Sequence, residues 1–578
     1  MKITTRPAPP RAVWALEQAG IHPLLARLYA ARGVQHTDEL DDQLARLQPP
    51  EQMQGATDAA RLLADAMAQG LRICVVADYD CDGATACATA LRGLRLLGAP
   101  LGFDRVSYLV PDRVADGYGL TPAIAQRVKD AGADVLVTVD NGIASVDGVA
   151  HARALGLQVL ITDHHLPAVL DGEVQLPQDC VIVNPNQPGC GFASKSIAGV
   201  GVMFYVLLAL RAELRARGAF PAEQQPRIDR LLPLVALGTV ADVVKLDAAN
   251  RRLVAQGLKR IRAGVLPPGL VALFEVAARR PAQATAFDLG FALGPRLNAA
   301  GRLSDMGLGI ECLSTDDPAR AAALAQQLDA INRERKHLEG DMREQALQLA
   351  EALWDGAETP PAALCLFDPD FHEGVVGIVA ARLKDKLYRP TFVFAASQAP
   401  GKEHELKGSG RSIPGFHLRD ALDLIAKRHP GVLLRFGGHA MAAGCTIDEA
   451  HLDTFDQALQ QIAREWLDDA TLQRRLEADG PLEAQYRRVD LIDTLQQQVW
   501  GQGFAPPVFC EEVDVVSQRL VGQKHLQLKL RHQGDLVDGI WFGHADPLPP
   551  RVKLAFRLDA DEWQGQRRVR FLVEGAEL

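Results

Sequence analysis

The sequence predicts an α/β protein of several domains: a parallel-sheet domain, a long linker helix, a second α/β domain and a C-terminal β-barrel. Three observations carry that prediction. From about residue 71, short apolar runs alternate with helical stretches, the pattern of βαβ units around a parallel sheet. From Pro318 to Trp354 a helical pattern runs on with a single glycine and no proline after its first residue, and at 1.5 Å per residue it spans on the order of 50 Å. Beyond about residue 466 the pattern becomes strand-like and divides into five short strands, which suits a small closed barrel.

Size and composition bound the answer. At 578 residues the chain exceeds what one hydrophobic core serves, and three or four domains are expected. With 48% hydrophobic and 23% charged residues, the composition is that of a folded soluble protein rather than a disordered one. A net charge of -10 excludes a generally basic coat for nucleic acid, although a local basic groove remains compatible with it. The nine cysteines are scattered, odd in number and without a CxxC pair, so a disulfide framework is not expected and a reducing, cytoplasmic compartment is. MKITTRPAPP lacks the apolar segment of a secretory leader. The longest apolar run, Ile197 to Leu210, is too short for a bilayer and reads as a buried helix, so no membrane partner is expected.

Taken in order, residues 1–50 are Pro- and Arg-rich with short helical patterns around Val13–Gln18 and Pro23–Arg32, and form an N-terminal extension packed on the main domain. Residues 51–316 hold the strands LRICVVAD, VSYLV, DVLVTVD, LQVLITD and CVIVN with helices between them. The linker helix occupies 317–355. The second α/β region, 356–465, has strands at ALCLF and PTFVFA, helices at GVVGIVAARLKDKL and FHLRDALDLIAKR, and glycine-rich turns at Gly408–Ser409–Gly410 and Gly437–Gly438. Residues 466–578 form the barrel.

The strand ends carry the chemistry. Asp78, Asp80 and Asp82 follow the first strand, Arg113 the second, Asp140 and Asn141 the third, and Asp163, His164 and His165 the fourth. Ligands of open α/β sheets bind at the carboxyl ends of strands, so four ends deliver mostly acidic residues to one edge. If the first strand continues, its period of two puts the three carboxylates on one side, where mutual repulsion calls for a cation. An acidic solvated loop is the competing reading. Asp140 has an alternative as a helix N-cap, and Asp242, which closes LLPLVALGTVA, as a plain helix cap. Asp163-His164-His165 is the sharper signal, because carboxylates with a little imidazole suit Mn²⁺ or Mg²⁺ better than Zn²⁺.

The segments ADYDCDG, VTVDNGI, TDHH and GTVAD occur in the order and approximate spacing of the four motifs of the DHH phosphoesterase superfamily, which the chain resembles over nearly its whole length. LNAAGR, FHEGVVGIVA, SGRS and GGHAMAAG resemble the single-strand-specific exonuclease branch of that superfamily and its DHH-associated domain, and the terminal strands its OB-like nucleic-acid-binding barrel. Two positions depart from the family pattern: Ala77 stands where Gly is expected, and Phe371 where Trp is commoner. The resemblance implies two divalent ions, Mn²⁺ or Mg²⁺, held by Asp80, Asp82, Asp140, His164 and Asp242, with Asp140 bridging and Asp78 a ligand or a support behind one. His165 would contact the scissile phosphate and Asp163 would orient its neighbours; Asp82, Asp140, Asp163 and His165 are the residues expected to carry catalysis.

By the same resemblance Arg113, Ser409 and Arg411 would bind a 5′-terminal phosphate, with Arg296 and His439 as further strand contacts. Taken singly, each Arg also reads as a solvated charge. In the barrel Lys524, Lys529, Arg531, Arg567, Arg568 and Arg570 lie beside Trp541, Phe542 and Trp563, a mixture that suits backbone tracking and base stacking, although aromatics there also read as core. The expected activity is 5′-to-3′ hydrolysis of single-stranded DNA to 5′-mononucleotides in DNA recombination and repair, with a single-stranded-DNA-binding protein and a RecQ-type helicase as partners. Competing readings are another DHH phosphodiesterase, acting on short RNA or cyclic dinucleotides, an inorganic pyrophosphatase, and an inactive replication scaffold. The long helix and barrel speak against the first two, and the intact acidic set against the last.

Overall fold

The computed structural model describes residues 1–113, 116, 118–170, 172–354, 361–399, 401–468, 470–563 and 565–578. The chain opens with a short strand, β1 (Lys2–Thr5), and the helices Pro10–Gln18 and Pro23–Ala30. The first sheet follows: β2 (Ile73–Ala77), β3 (Val106–Leu109), β4 (Val135–Val139), β5 (Gln158–Thr162) and, after a hairpin of β6 (Ala168–Leu170) and β7 (Glu173–Gln175), β8 (Val181–Val183). All its pairings are parallel, in the order β3-β2-β4-β5-β8. Helices cover both faces, so β2 and β4 are buried at every position, which is why they read as unbroken apolar runs.

The apolar run at Ile197–Leu210 becomes the buried helix Gly199–Ala216. The linker helix runs Pro318–Trp354. Beyond it β9 (Leu364–Phe367), β10 (Thr391–Ala396), β11 (Glu405–Arg411), β12 (Leu433–Gly438) and β13 (Ala442–Asp448) form a mixed sheet in the order β12-β13-β11-β10-β9, with its own core. After β14 (Arg475–Ala478), the five strands β15 (Phe509–Val521), β16 (His525–His532), β17 (Asp535–Phe542), β18 (Arg551–Trp563) and β19 (Gln566–Glu577) close into a barrel.

The N-terminal extension does more than rest on the first domain. Its strand β1 pairs in parallel with β14, and Arg32 meets Asp479 through two hydrogen bonds at a buried ion pair. One continuous core then runs from the extension through the first domain into the barrel.

Gly408–Ser409–Gly410 is not a turn: it lies inside β11, and Gly437–Gly438 closes β12. The glycines serve packing. A Cβ on Gly408 would sit 2.3 Å from the Phe394 ring and one on Gly410 2.4 Å from the Phe392 ring, so the two phenyl rings pack directly against bare backbone. Gly408→Val should destabilise the second domain by about 2 kcal/mol through overpacking. Thermal denaturation checks it: a variant melting with wild type would show that the rings move aside freely.

Candidate metal centre and phosphate pocket

The order of the first sheet is 2-1-3-4-5 in chain terms, and its crevice opens between β2 and β4. The acidic residues gather there. The strand does not continue through them, however: β2 stops at Ala77, Asp80 caps the helix Cys81–Gly98 by accepting from the Gly83 amide at 3.0 Å, and Asp82 lies in its first turn. A helix start, not strand alternation, collects the carboxylates. Asp82 is fully buried and accepts from the Gly199 and Val200 amides at 2.6 and 2.9 Å, at the positive end of the helix Gly199–Ala216.

Asp140 follows β4 with a φ of 63°, a left-handed conformation that Asp tolerates. It caps no helix, since Ser145 holds the N-cap position of Val146–Ala154. A Cβ on Gly199 would fall 2.5 Å from Asp140 Oδ1, so only glycine lets that helix come so close. Asp242 sits at the C-terminal end of the helix Leu232–Ala241, where a carboxylate opposes the helix dipole. Helix capping therefore does not explain it. Val243 next to it takes a φ of 61°, strained for a β-branched residue.

These groups converge on one imidazole. His164 Nε2 lies 3.1 Å from Asp140, 3.5 Å from Asp242 and 3.9 Å from Asp82 carboxylate oxygens. Asp82, His164 and Asp242 place ligand atoms within 4.8 Å of one another, and so do Asp78, Asp80 and Asp140. Asp140 thus stands between two adjoining groups. His164 Nε2, Asp78 Oδ1, Asp140 Oδ1 and Asp242 Oδ2 are buried without hydrogen-bond partners. Burial first, then repulsion among the carboxylates, pushes Asp78, Asp82, Asp140 and Asp242 above the ordinary carboxylate range. Burial and the charge of His165 lower His164 to about 4, which leaves it neutral, as a ligand must be. Unpartnered buried oxygens around a neutral imidazole are a donor set that fits divalent cations of the Mn²⁺ or Mg²⁺ kind.

His165 is in the opposite state. Burial opposes its charge, but the hydrogen bond and charge of Asp163, with Asp242 and Asp78 beyond, raise it to about 9. Although it lies within reach of Asp140 and His164, a protonated ring is no ligand. Asp163 holds the loop together: it accepts from the amides of Ile143, His164 and His165 at 3.0, 2.7 and 3.1 Å and binds His165 Nδ1 at 2.8 Å. Burial alone would raise its carboxyl, and these contacts more than offset that. Asn184 and Asn186, which follow β8, donate to the carbonyls of His165 and His164.

Beside the carboxylates lies a cluster of cations. Arg113 stacks 5.0 Å over the Tyr79 ring. Burial, then the charges of Arg113 and Arg411, lowers Arg302 to about 10, while burial and Arg113 lower Arg411. Ser409 and Arg411 of β11 meet the first turn of the helix Val376–Leu387, where a Cβ on Gly377 would lie 3.1 Å from Arg411 Nη2 and 3.3 Å from Ser409 Oγ. Three guanidiniums from two domains, a hydroxyl and a helix N-terminus make an anion cradle. His439 also reaches this cleft; burial first, then His165, Arg419 and His417, lowers it.

Arg296 is not brought to the site. It pairs with Asp329 of the linker helix at 2.9 Å and donates to the Ala292 carbonyl, so it ties two helices together. Two residues here are ones the sequence did not single out: Arg302, the last residue of LNAAGR, and Tyr118, whose hydroxyl is 3.3 Å from the His165 ring. In the barrel, Lys529 pairs with Asp538, Arg567 with Asp493, and Arg570 with Asp559 and Asp561. Phe542 is exposed and Trp541 stacks on His544, while the side chain of Trp563 lies outside the described residues.

Residues 72–239 match the DHH family, N-terminal domain, residues 361–465 the DHHA1 domain, and residues 478–575 the RecJ OB domain. The chain is 46% identical over 566 residues to the single-stranded-DNA-specific exonuclease RecJ of Salmonella typhimurium, covering 96% of each. Two crystal structures of RecJ from Thermus thermophilus are similar to it across 100% of this chain. The one in complex with Mn²⁺ has a TM-score of 0.81 at 30% identity and is covered over 79% of its length; the one in complex with Mg²⁺ has 0.76 at 29%, over 78%.

Proposed function

The chain belongs to the RecJ family of DHH phosphoesterases, and from that membership we propose how its residues perform single-strand DNA cleavage. It is a metal-dependent exonuclease specific for single-stranded DNA. The observation that carries the reading is the convergence of Asp82, Asp140, Asp242 and a neutral His164, with Asp140 Oδ1, Asp242 Oδ2 and His164 Nε2 buried and unpartnered, beside the cationic cradle. Two divalent cations, Mn²⁺ or Mg²⁺, supply Lewis acidity there, offsetting phosphate charge and strengthening water as a nucleophile. Asp80, Asp82, Asp140, His164 and Asp242 would hold them, with Asp140 common to both and Asp78 beside Asp80 and Asp140 as a further ligand or a support behind one.

The protein's own residues do the rest. His165, kept cationic by Asp163, faces the scissile phosphate and stabilises its developing charge. Arg113, Arg302, Ser409 and Arg411 hold the 5′-terminal phosphate one nucleotide away, which fixes the register of cleavage and hence a 5′-to-3′ direction with release of 5′-mononucleotides. His439 lines the strand's path, whereas Arg296 holds the linker helix. The site draws on both α/β domains, so the strand passes between them, and we place the exclusion of duplex in the width of that passage. Phe542, Lys524 and Arg531 of the barrel extend the track.

The nine cysteines are free thiols, and no helix among the described residues is long and apolar enough to cross a membrane. Free thiols suit a reducing, cytoplasmic compartment, and cleavage confined to single strands suits a role in recombination and repair. An enzyme confined to single strands needs a RecQ-type helicase to open duplex and acts on strands presented by a single-stranded-DNA-binding protein. The test uses end-labelled substrates with Mn²⁺: free single strand and the tail of a 5′-tailed duplex are digested from the 5′ end, and blunt duplex is spared. Efficient digestion of blunt duplex without a helicase refutes the narrow passage, and label lost first from the 3′ end refutes the polarity.

A further inference from the structure

Behind the phosphate cradle lies a cavity of about 470 Å³, walled by the helix Gly294–Leu303, the linker helix and the helix Val376–Leu387. Its lining is cationic: Arg302, Arg335, Lys336, Arg343 and Arg382 face a single carboxylate, Glu339. That carboxylate is buried and taken up by two partners, Arg335 and Arg382. Lys336 and Arg343 have no acidic partner among the described residues. At the rim Phe291, 72% exposed, stacks on Phe287 at 4.7 Å between centroids, and both belong to or adjoin the π-helical turn Asp288–Leu293. Wide helical turns of this kind gather at functional sites, and a large exposed phenyl pair beside unpaired cations is the chemistry of base stacking next to phosphate binding.

We propose that this cavity is a second nucleotide site that receives the deoxynucleoside 5′-monophosphate released by cleavage; its ligand's identity rests on the exonuclease reading above. Hydrolysis of the first internucleotide bond leaves the terminal nucleotide with its 5′-phosphate in the cradle. Arg302 belongs to both the cradle and the cavity wall, so that phosphate passes to Lys336 and Arg343 without leaving a guanidinium, and the base stacks on Phe291. The product departs on the far side from the incoming strand, and the new 5′ end advances into the cradle it vacates.

Calorimetric titration of dAMP into full-length, metal-free protein tests this without turnover. The cradle is first saturated with a 5′-phosphorylated oligothymidylate. Strand-saturated wild type still binds dAMP, whereas Lys336→Glu/Arg343→Glu binds it at least about tenfold more weakly, the loss expected for charge-assisted contacts. Strand binding by the double variant stays within about twofold. Phe291→Ala weakens dAMP but not inorganic phosphate. The proposal is overturned if strand-saturated wild type takes up no dAMP, if the double variant binds dAMP as wild type does, or if strand and dAMP affinity fall together. Failure of the oligothymidylate itself to bind would count against the exonuclease reading, and dAMP titrated into free wild type and double variant still decides the cavity.

Discussion

Asp140→Asn is expected to cut single-strand cleavage by about a thousandfold or more while making the metal-free protein more stable. Asp140 stands between two groups of ligand atoms, so losing its second oxygen weakens both. A bound cation contributes several kcal/mol to charge stabilisation, and about 4 kcal/mol is about a thousandfold. The stability change runs the other way. Burial and the charges of Asp82, Asp80, Asp242 and Asp78 raise the folded-state pKa of Asp140 above its unfolded value. Such a group favours folding at low pH, and that contribution is lost as pH rises through the folded pKa, so at neutral pH without metal the carboxylate is a liability. Asparagine keeps the shape, accepts the left-handed backbone and removes the charge. Melting in EDTA and again with Mn²⁺ separates the effects: the variant melts above wild type in EDTA and gains less from Mn²⁺. Cleavage within tenfold of wild type would sink the shared-ligand assignment, and a lower melting temperature in EDTA would show that Asp140 serves the fold.

Arg411→Ala should erase the preference for a 5′-phosphate over a 5′-hydroxyl end. A forked, charge-assisted contact with phosphate is worth about 1.5–3 kcal/mol, so kcat/KM on phosphorylated strands falls about 10- to 100-fold while hydroxyl ends change little. Because Arg411 is repelled by Arg113, its removal relieves a strain rather than breaking a support. Arg411→Lys should recover only part of the loss, since an ammonium lacks the planar fork. The measurement is the ratio of kcat/KM for the two ends, and an unchanged ratio in the Ala variant would move the end-binding pocket elsewhere. Its signature differs from that of Asp140→Asn, which lowers cleavage of both kinds of end alike.

Much of the molecule was legible in the chain. Parallel strands buried on both faces leave unbroken apolar runs, as in ICVVA and VLVTV, and the polar residues that follow them mark the ligand edge. The barrel strands declared themselves through alternation, as in HLQLKLRH of β16, where every second residue is buried. Where local pattern admits two backbones, reading failed. The glycines of GSGRS suggested a turn, yet what they serve is contact with Phe392 and Phe394, residues on a neighbouring strand. The Asp triplet suggested strand alternation, yet β2 has ended before it and one oxygen of Asp80 caps a helix.

The sequence by itself determined the domain order and that Asp80, Asp82, Asp140, His164, His165 and Asp242 stand at strand or helix ends, because local chain geometry ties each to its own element. Only the tertiary structure decided what meets across distance. It paired β1 with β14, and it drew Arg302 into a cradle with Arg113 and Arg411 while turning Arg296, six residues earlier, toward Asp329. It also split two adjacent histidines into a neutral ring and a cation: burial and the neighbouring charge lower His164, while Asp163 and the carboxylates beyond it raise His165. An arginine or histidine looks the same in sequence whether its charge meets a carboxylate, another cation or water. Burial and the summed field of neighbours far along the chain set its role, and those exist only once the chain has folded.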